Sequence, residues 1–127
     1  MSRQADCEYL AFEAGGAIGA NRFVKFGSSD TAVVQGAAAT DAIFGISDLA
    51  AASTERVDVC VSGKAKQIVY GGTVTRGDLL TSDSTGRAVT AAPAAGANVR
   101  IGGIALVSGV VGDVGSILLS PGSLQGA

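Results

Sequence analysis

The feature that most constrains this chain is that its sequence states one plan twice. Gly15-Gly16-Ala17-Ile18 returns as Gly71-Gly72-Thr73-Val74, and at the same offset Phe23-Val24 meets Leu79-Leu80 and Ala32-Val33 meets Ala88-Val89. With one or two residues of slippage, Ile43-Phe44-Gly45-Ile46 aligns with Ile101-Gly102-Gly103-Ile104, and Val59-Cys60-Val61-Ser62 with Ile117-Leu118-Leu119-Ser120. Each half reads as four short strands. A unit that small cannot bury its apolar face alone, so the two copies are expected to share a core. The expected fold is mainly β: a small barrel or sandwich built from two similar β-rich halves. On this plan 1–14 is an N-terminal arm and first strand, 15–122 a single β domain with its duplicated parts at 15–63 and 71–122, and 123–127 a C-terminal tail.

Composition agrees with that plan. The 127 residues suit one core, and 47% hydrophobic against 16% charged residues argues against disorder. The 19 glycines follow no fixed period, so they mark turns between many short strands. Val57-Asp58-Val59-Cys60-Val61-Ser62 alternates, with the three valines on the buried face and Asp58, Cys60 and Ser62 on the other. The one plausible helix is Asp48-Leu49-Ala50-Ala51-Ala52, limited to a turn or two.

What the chain lacks narrows its function. It has no histidine, which removes the commonest general base, the commonest metal ligand and every Ser-His or Cys-His nucleophile. Cys7 and Cys60 form no metal knuckle, and in a reducing cytoplasm free thiols are expected. Asp30, Asp41, Asp48, Asp78 and Asp83 sit at turn or cap positions, where hydrogen bonding to the backbone accounts for them. A glycosidase pair of Asp78 and Asp83 lacks the aromatic platforms that sugars need, and there is no tryptophan. No catalytic, cofactor or metal site is therefore expected, and the chain reads as a non-enzyme.

Short matches carry little. Gly15-Gly16-Ala17-Ile18-Gly19 misses the dinucleotide spacing, and Ser62-Gly63-Lys64-Ala65 misses the phosphate-loop glycine and hydroxyl. Arg76-Gly77-Asp78 falls where a hairpin turn is due. A net charge of −2 with no basic stripe excludes nucleic acid as a natural partner. No apolar run approaches a membrane span, and the polar start Met1-Ser2-Arg3-Gln4-Ala5-Asp6 has no signal-peptide core. Synthesis in a cytoplasm is the expectation.

The order of a Gly-Gly turn, Gly77-Asp78-Leu79-Leu80, Asp83-Ser84-Thr85-Gly86-Arg87-Ala88-Val89, Pro93-Ala94-Ala95-Gly96, Ile101-Gly102-Gly103-Ile104-Ala105-Leu106 and Ile117-Leu118-Leu119-Ser120-Pro121-Gly122 resembles the capsid decoration, or cement, proteins of tailed bacteriophages. That resemblance implies a β-rich homotrimer on the outer surface of the virion head. Its partner would be the major capsid protein, whose neighbouring subunits it clamps, with no cofactor. The host is bacterial, so its cytoplasm is the expected place of synthesis.

The segment Ser2 to Glu13 precedes the duplicated plan and mixes aromatic, apolar and charged residues. Ser2, Arg3, Gln4, Tyr9 and Phe12 are therefore the candidate capsid-binding residues, either on a docking arm or, for Leu10 and Phe12, on an edge strand facing inward. The alternatives are a carbohydrate-binding or fibre-like virion module, and a biotinyl or lipoyl carrier modified on Lys64 or Lys66.

Overall fold

The computed structural model describes residues 7–63 and 66–127, and the regular elements among them are ten strands. The first five are β1 (Cys7–Ala14), β2 (Phe23–Phe26), β3 (Ala32–Gln35), β4 (Ile43–Ser47) and β5 (Arg56–Gly63). They close into a barrel in the order β1-β3-β2-β4-β5. The rest are β6 (Lys66–Val69), β7 (Leu79–Ser82), β8 (Ala88–Thr90), β9 (Asn98–Ala105) and β10 (Val114–Gln125), in a five-stranded sheet ordered β6-β10-β9-β7-β8. The fold is mainly β.

The two units use the same connections. Antiparallel pairs β1/β5, β5/β4, β4/β2 and β2/β3 are matched by β6/β10, β10/β9, β9/β7 and β7/β8. Single bridges also repeat, Ile18 with Ala51 in one unit and Val74 with Gly109 in the other. Left-handed backbone recurs at the same places, at Asn21 (φ 56) and Gly77 (φ 96), and at Thr54 (φ 73) and Gly112 (φ 88). Glycine holds that conformation without a Cβ clash, and asparagine is the side chain that tolerates it best.

Each unit thus has five strands where the sequence pattern suggests four. The additional pair is β1 and β6, and Cys-Glu-Tyr-Leu-Ala-Phe-Glu-Ala shares nothing visible with Lys-Gln-Ile-Val. So β1 is an integral wall of the first unit. At the other end β10 runs to Gln125 and Gly126 bridges Ala95, so most of 123–127 is strand and bridge. The short helix expected at Asp48–Ala52 does not form. Ile18 and Ala51 exchange backbone hydrogen bonds of 2.9 Å each, which holds that stretch extended across the chain.

Neighbouring residues of one strand feed two cores. Val24, Val33, Val57 and Val59 fill the barrel, while Phe23, Ile46, Ile68, Tyr70, Leu80 and Ile117 form the core shared between the units. Phe23 and Val24 are both fully buried because β2 is covered on both faces. Cys60 is fully buried for the same reason, although it lies on the face of β5 opposite Val59. Val57 and Val59 are buried and Val61 is half-buried, as the alternation requires.

The cysteines are not free thiols. Cys7 and Cys60 form a disulfide between β1 and β5. The register explains it, because β1 pairs antiparallel with β5 from Cys7 opposite Gly63 to Glu13 opposite Arg56. Residues 53 apart in sequence, with Cα atoms 5.5 Å apart, meet across a ladder that the sequence pattern did not reveal.

Candidate docking surface

A barrel this small fills its interior with side chains, and what remains at its ends faces outward. At one end of the barrel three phenyl rings meet. Phe26 stacks on Phe44 with centroids 4.1 Å apart and planes 7° from parallel, and Phe12 meets Phe44 edge-on at 5.6 Å. Phe12 and Phe44 are half-buried against the valine core, but Phe26 is 61% exposed and Leu10 54%. Three phenyl rings in two contacts on a barrel of valines leave an apolar surface open to solvent, which marks a contact surface more than a fold requirement.

Tyr9 stands on the opposite face of β1, 42% exposed. Partial burial, and then the carboxylates of Asp48 and Asp58, hold its phenol above the ordinary value. Of the candidate residues, Tyr9 and Phe12 are thus on one strand with side chains on opposite faces. Ser2, Arg3 and Gln4 lie outside the described residues. Phe26 and Phe44 are contributors that sequence alternation missed, since Phe-Val-Lys-Phe and Ile-Phe-Gly-Ile read as ordinary strand cores.

A second apolar surface lies on the other unit. Val110 and Val111 on the loop before β10, and Val114 at the start of β10, are exposed by 54–59%. The loop before β5 has the same hydrogen bonds, with Glu55 N–H to Ala52 O matched by Asp113 N–H to Val110 O, each 3.0 Å. There the corresponding residues are Ala52, Ser53 and Arg56. The fold accepts small or polar side chains at these positions, so it does not itself require valines there.

Among the described residues no three His, Cys, Asp or Glu side chains could jointly hold a metal ion. A shallow cavity of about 180 Å³ is lined by Asp48, Leu49, Ala50, Arg56, Val57 and Asp58. Its main charges are already matched, with Arg56 and Asp58 paired at 3.1 Å. Among the described residues no helix is long and apolar enough to cross a membrane.

Lys66 is 4% exposed, and its ammonium donates to Asn21 Oδ1 at 2.7 Å, with Asp48 Oδ1 at 3.9 Å. Burial holds it below its ordinary value, against the pull of Asp48. A carrier lysine must project from a hairpin tip, so this packing removes Lys66 from that role; Lys64 lies outside the described residues.

No curated protein matches the sequence. The fold is shared with the crystal structure of the N base of head fiber gp8.5 from bacteriophage phi29, at a TM-score of 0.68 and 17% identity, over 92% of this chain and 95% of that one. The model of the phage cement protein family matches residues 5–119, through β1 to the first half of β10. Since that match spans both units and both exposed apolar surfaces, the chain belongs to the phage cement protein family, a structural component of the virion capsid.

Proposed function

We propose that this protein binds the outer surface of a bacteriophage head as a homotrimer and stabilises it by clamping neighbouring major capsid subunits. Membership of the cement family supports attachment to the head. The observation that carries the finer reading is the presence of two separate exposed apolar surfaces, the phenyl cluster on the first unit and the valine loop on the second. One contact alone would only attach the protein; two let a copy be held by its own kind through one surface and by the shell through the other. Stabilisation then follows from mass action, because whatever binds only the assembled shell opposes its disassembly. Bridging contacts of the usual size, about 1,200–2,000 Å² each, suffice for this.

In this reading Tyr9 and Phe12 contact the capsid, with Ser2, Arg3 and Gln4 extending that contact. The test is co-sedimentation with expanded empty heads, alongside light scattering of the free protein. A deletion of residues 2–6 retains Cys7 and β1, so it is expected to keep the oligomer while weakening head binding. Undiminished binding would remove the N-terminal residues from the interface, and a protein that stays monomeric in solution and on heads would end the trimer reading.

A further inference from the structure

The backbone of β1 shows which of its groups are already used. Glu13 N–H donates to Thr31 O and Gly15 N–H to Val33 O, both at 2.8 Å and both on the side of β3. Ala14 N–H turns the other way, to Glu55 O at 2.8 Å, extending the β5 ladder. Along a strand these directions alternate, so Leu10 and Phe12 face β5, and Tyr9 and Ala11 face the same side as Glu13. Yet the ladder with β3 contains only Glu13 opposite Ala32 and Ala14 opposite Val33. Among the described residues no strand stands beside Tyr9 and Ala11. Half of β1 is an open edge, lying next to the exposed Leu10 and Phe26.

We propose that this open edge takes up an extended segment of a major capsid subunit as an added strand. The proposal rests on the capsid-binding reading above and specifies how it is achieved. Open edges template strand pairing, and β-strand addition draws affinity from main-chain hydrogen bonds and specificity from alternate side chains. One face of the added strand meets the phenyl cluster, so apolar residues recur at every second position there. The other face meets Glu13 of β1 and the paired Asp58 and Arg56 of β5, two carboxylates against one guanidinium, and the net negative charge suits a lysine or arginine. That same face argues against a second copy of β1 as the occupant, because it would add another Glu13 beside carboxylates already present.

Ala11→Pro is the discriminating variant. It deletes an outward N–H and no β5 bond, and proline is tolerated on open edges. Ala11→Ser keeps the N–H. The expected result is that Ala11→Pro folds and oligomerises like the parent but binds expanded empty heads about tenfold more weakly or worse, as the loss of one such bond implies, while Ala11→Ser binds normally. Equal binding of Ala11→Pro overturns strand addition and leaves capsid binding intact. Amide exchange on the unmodified protein gives an independent answer should the proline variant misfold. The Tyr9 and Ala11 amides are expected to exchange fast in the free protein and slowly on heads; fast exchange in both states overturns the proposal. If the unmodified protein ignores heads altogether, the capsid reading itself fails.

Discussion

The two units reach the same connectivity with different interiors. In the first, β1 and β3 close the barrel through a parallel ladder; in the second, among the described residues no ladder joins β6 to β8, and the seam is the bridge from Tyr70, just after β6, to Ala88 of β8. The positions that correspond around this seam are instructive. Ala14, Ala51 and Val57 of the first unit stand where the second has Tyr70, Gly109 and Gly115, as the matching bridges and hydrogen bonds show. Tyr70 is fully buried, its hydroxyl donates to Val107 O at 2.6 Å, and its ring lies where a Cβ on Gly109 or Gly115 would have to go. One unit spreads the volume over three small residues, and the other concentrates it in one ring and removes its neighbours' side chains. What duplication preserves is the hydrogen-bond plan, and total volume is what packing preserves.

That comparison can be broken directly. Tyr70→Ala is expected to cost about 3–5 kcal/mol, as for other large-to-small changes at fully buried aromatics. Gly115→Val alone should also be severe, since its side chain enters the ring. The sharper expectation is for the triple change Tyr70→Ala, Gly109→Ala, Gly115→Val, which transplants the first unit's solution. It should be clearly more stable in urea than the sum of its parts, because the changes share one space. Strict additivity would show that the volume exchange is a coincidence of alignment.

A second difference is covalent. β1 and β5 are joined by Cys7–Cys60, whereas β6 and β10 carry no cysteine. Closing a loop of 53 residues is worth about 4 kcal/mol in the chain-entropy treatment, with measured values commonly nearer 2–4. Reduction, or Cys7→Ser with Cys60→Ser, should lower stability on that scale. Amide exchange should accelerate chiefly in β1 while β6 and β10 stay protected. Equal loosening of both units would show that the bond braces the whole molecule and not one ladder.

These contrasts also mark how far the sequence could be read. The repeat was legible because its Gly-Gly turns and paired apolar residues, Phe23-Val24 and Leu79-Leu80 among them, serve backbone geometry common to both units. A first strand within 1–14 was legible, but its match to β6 was hidden, because β1 is long and faces solvent while β6 is short and largely buried, so they share no pattern. The disulfide was hidden too, since only the β1/β5 register brings Cys7 to Cys60. Tyr9 and Phe12 could be picked out by residue type, and the structure leaves Tyr9 exposed and Phe12 half-buried. Phe26 and Phe44 were not, because alternation says which face a side chain takes but not that a barrel ends there.

The smallest contrast lies in the hairpins, and it concerns how the units meet. The β2–β3 turn is held by Gly27 N–H to Ala32 O at 2.9 Å and presents mostly exposed residues. The corresponding bond in the second unit, Asp83 N–H to Arg87 O, is also 2.9 Å, but here the side chain of Asp83 organises the turn. Its Oδ1 accepts from the backbone N–H of Thr85 and of Arg87, each at 2.9 Å, and its Oδ2 from Arg87 Nε at 3.0 Å. The turn so ordered offers Thr85 O to Arg22 Nη1 and Gly86 O to Phe23 N–H, both at 2.8 Å, and thereby docks onto the first unit. Burial pushes the Asp83 carboxyl up, but the hydrogen bonds from Thr85 and Arg87 and the guanidinium charge outweigh it, holding the group below its ordinary value of 3.8. A depressed carboxyl releases its proton more readily folded than unfolded, so its stabilisation is complete above about pH 4 and is lost as pH falls through the folded value. Asp83→Asn should therefore cost about 1–2 kcal/mol at pH 7 and flatten the acid limb of a stability–pH curve. Part of the slope should survive, because Asp41, bonded to the N–H groups of Ala37 and Ala38 and to Lys25, is depressed as well and lies within the first unit. If Asp83→Asn leaves the acid limb unchanged, the turn docks by its backbone alone, and the hairpins of the two units differ in sequence without differing in what holds them.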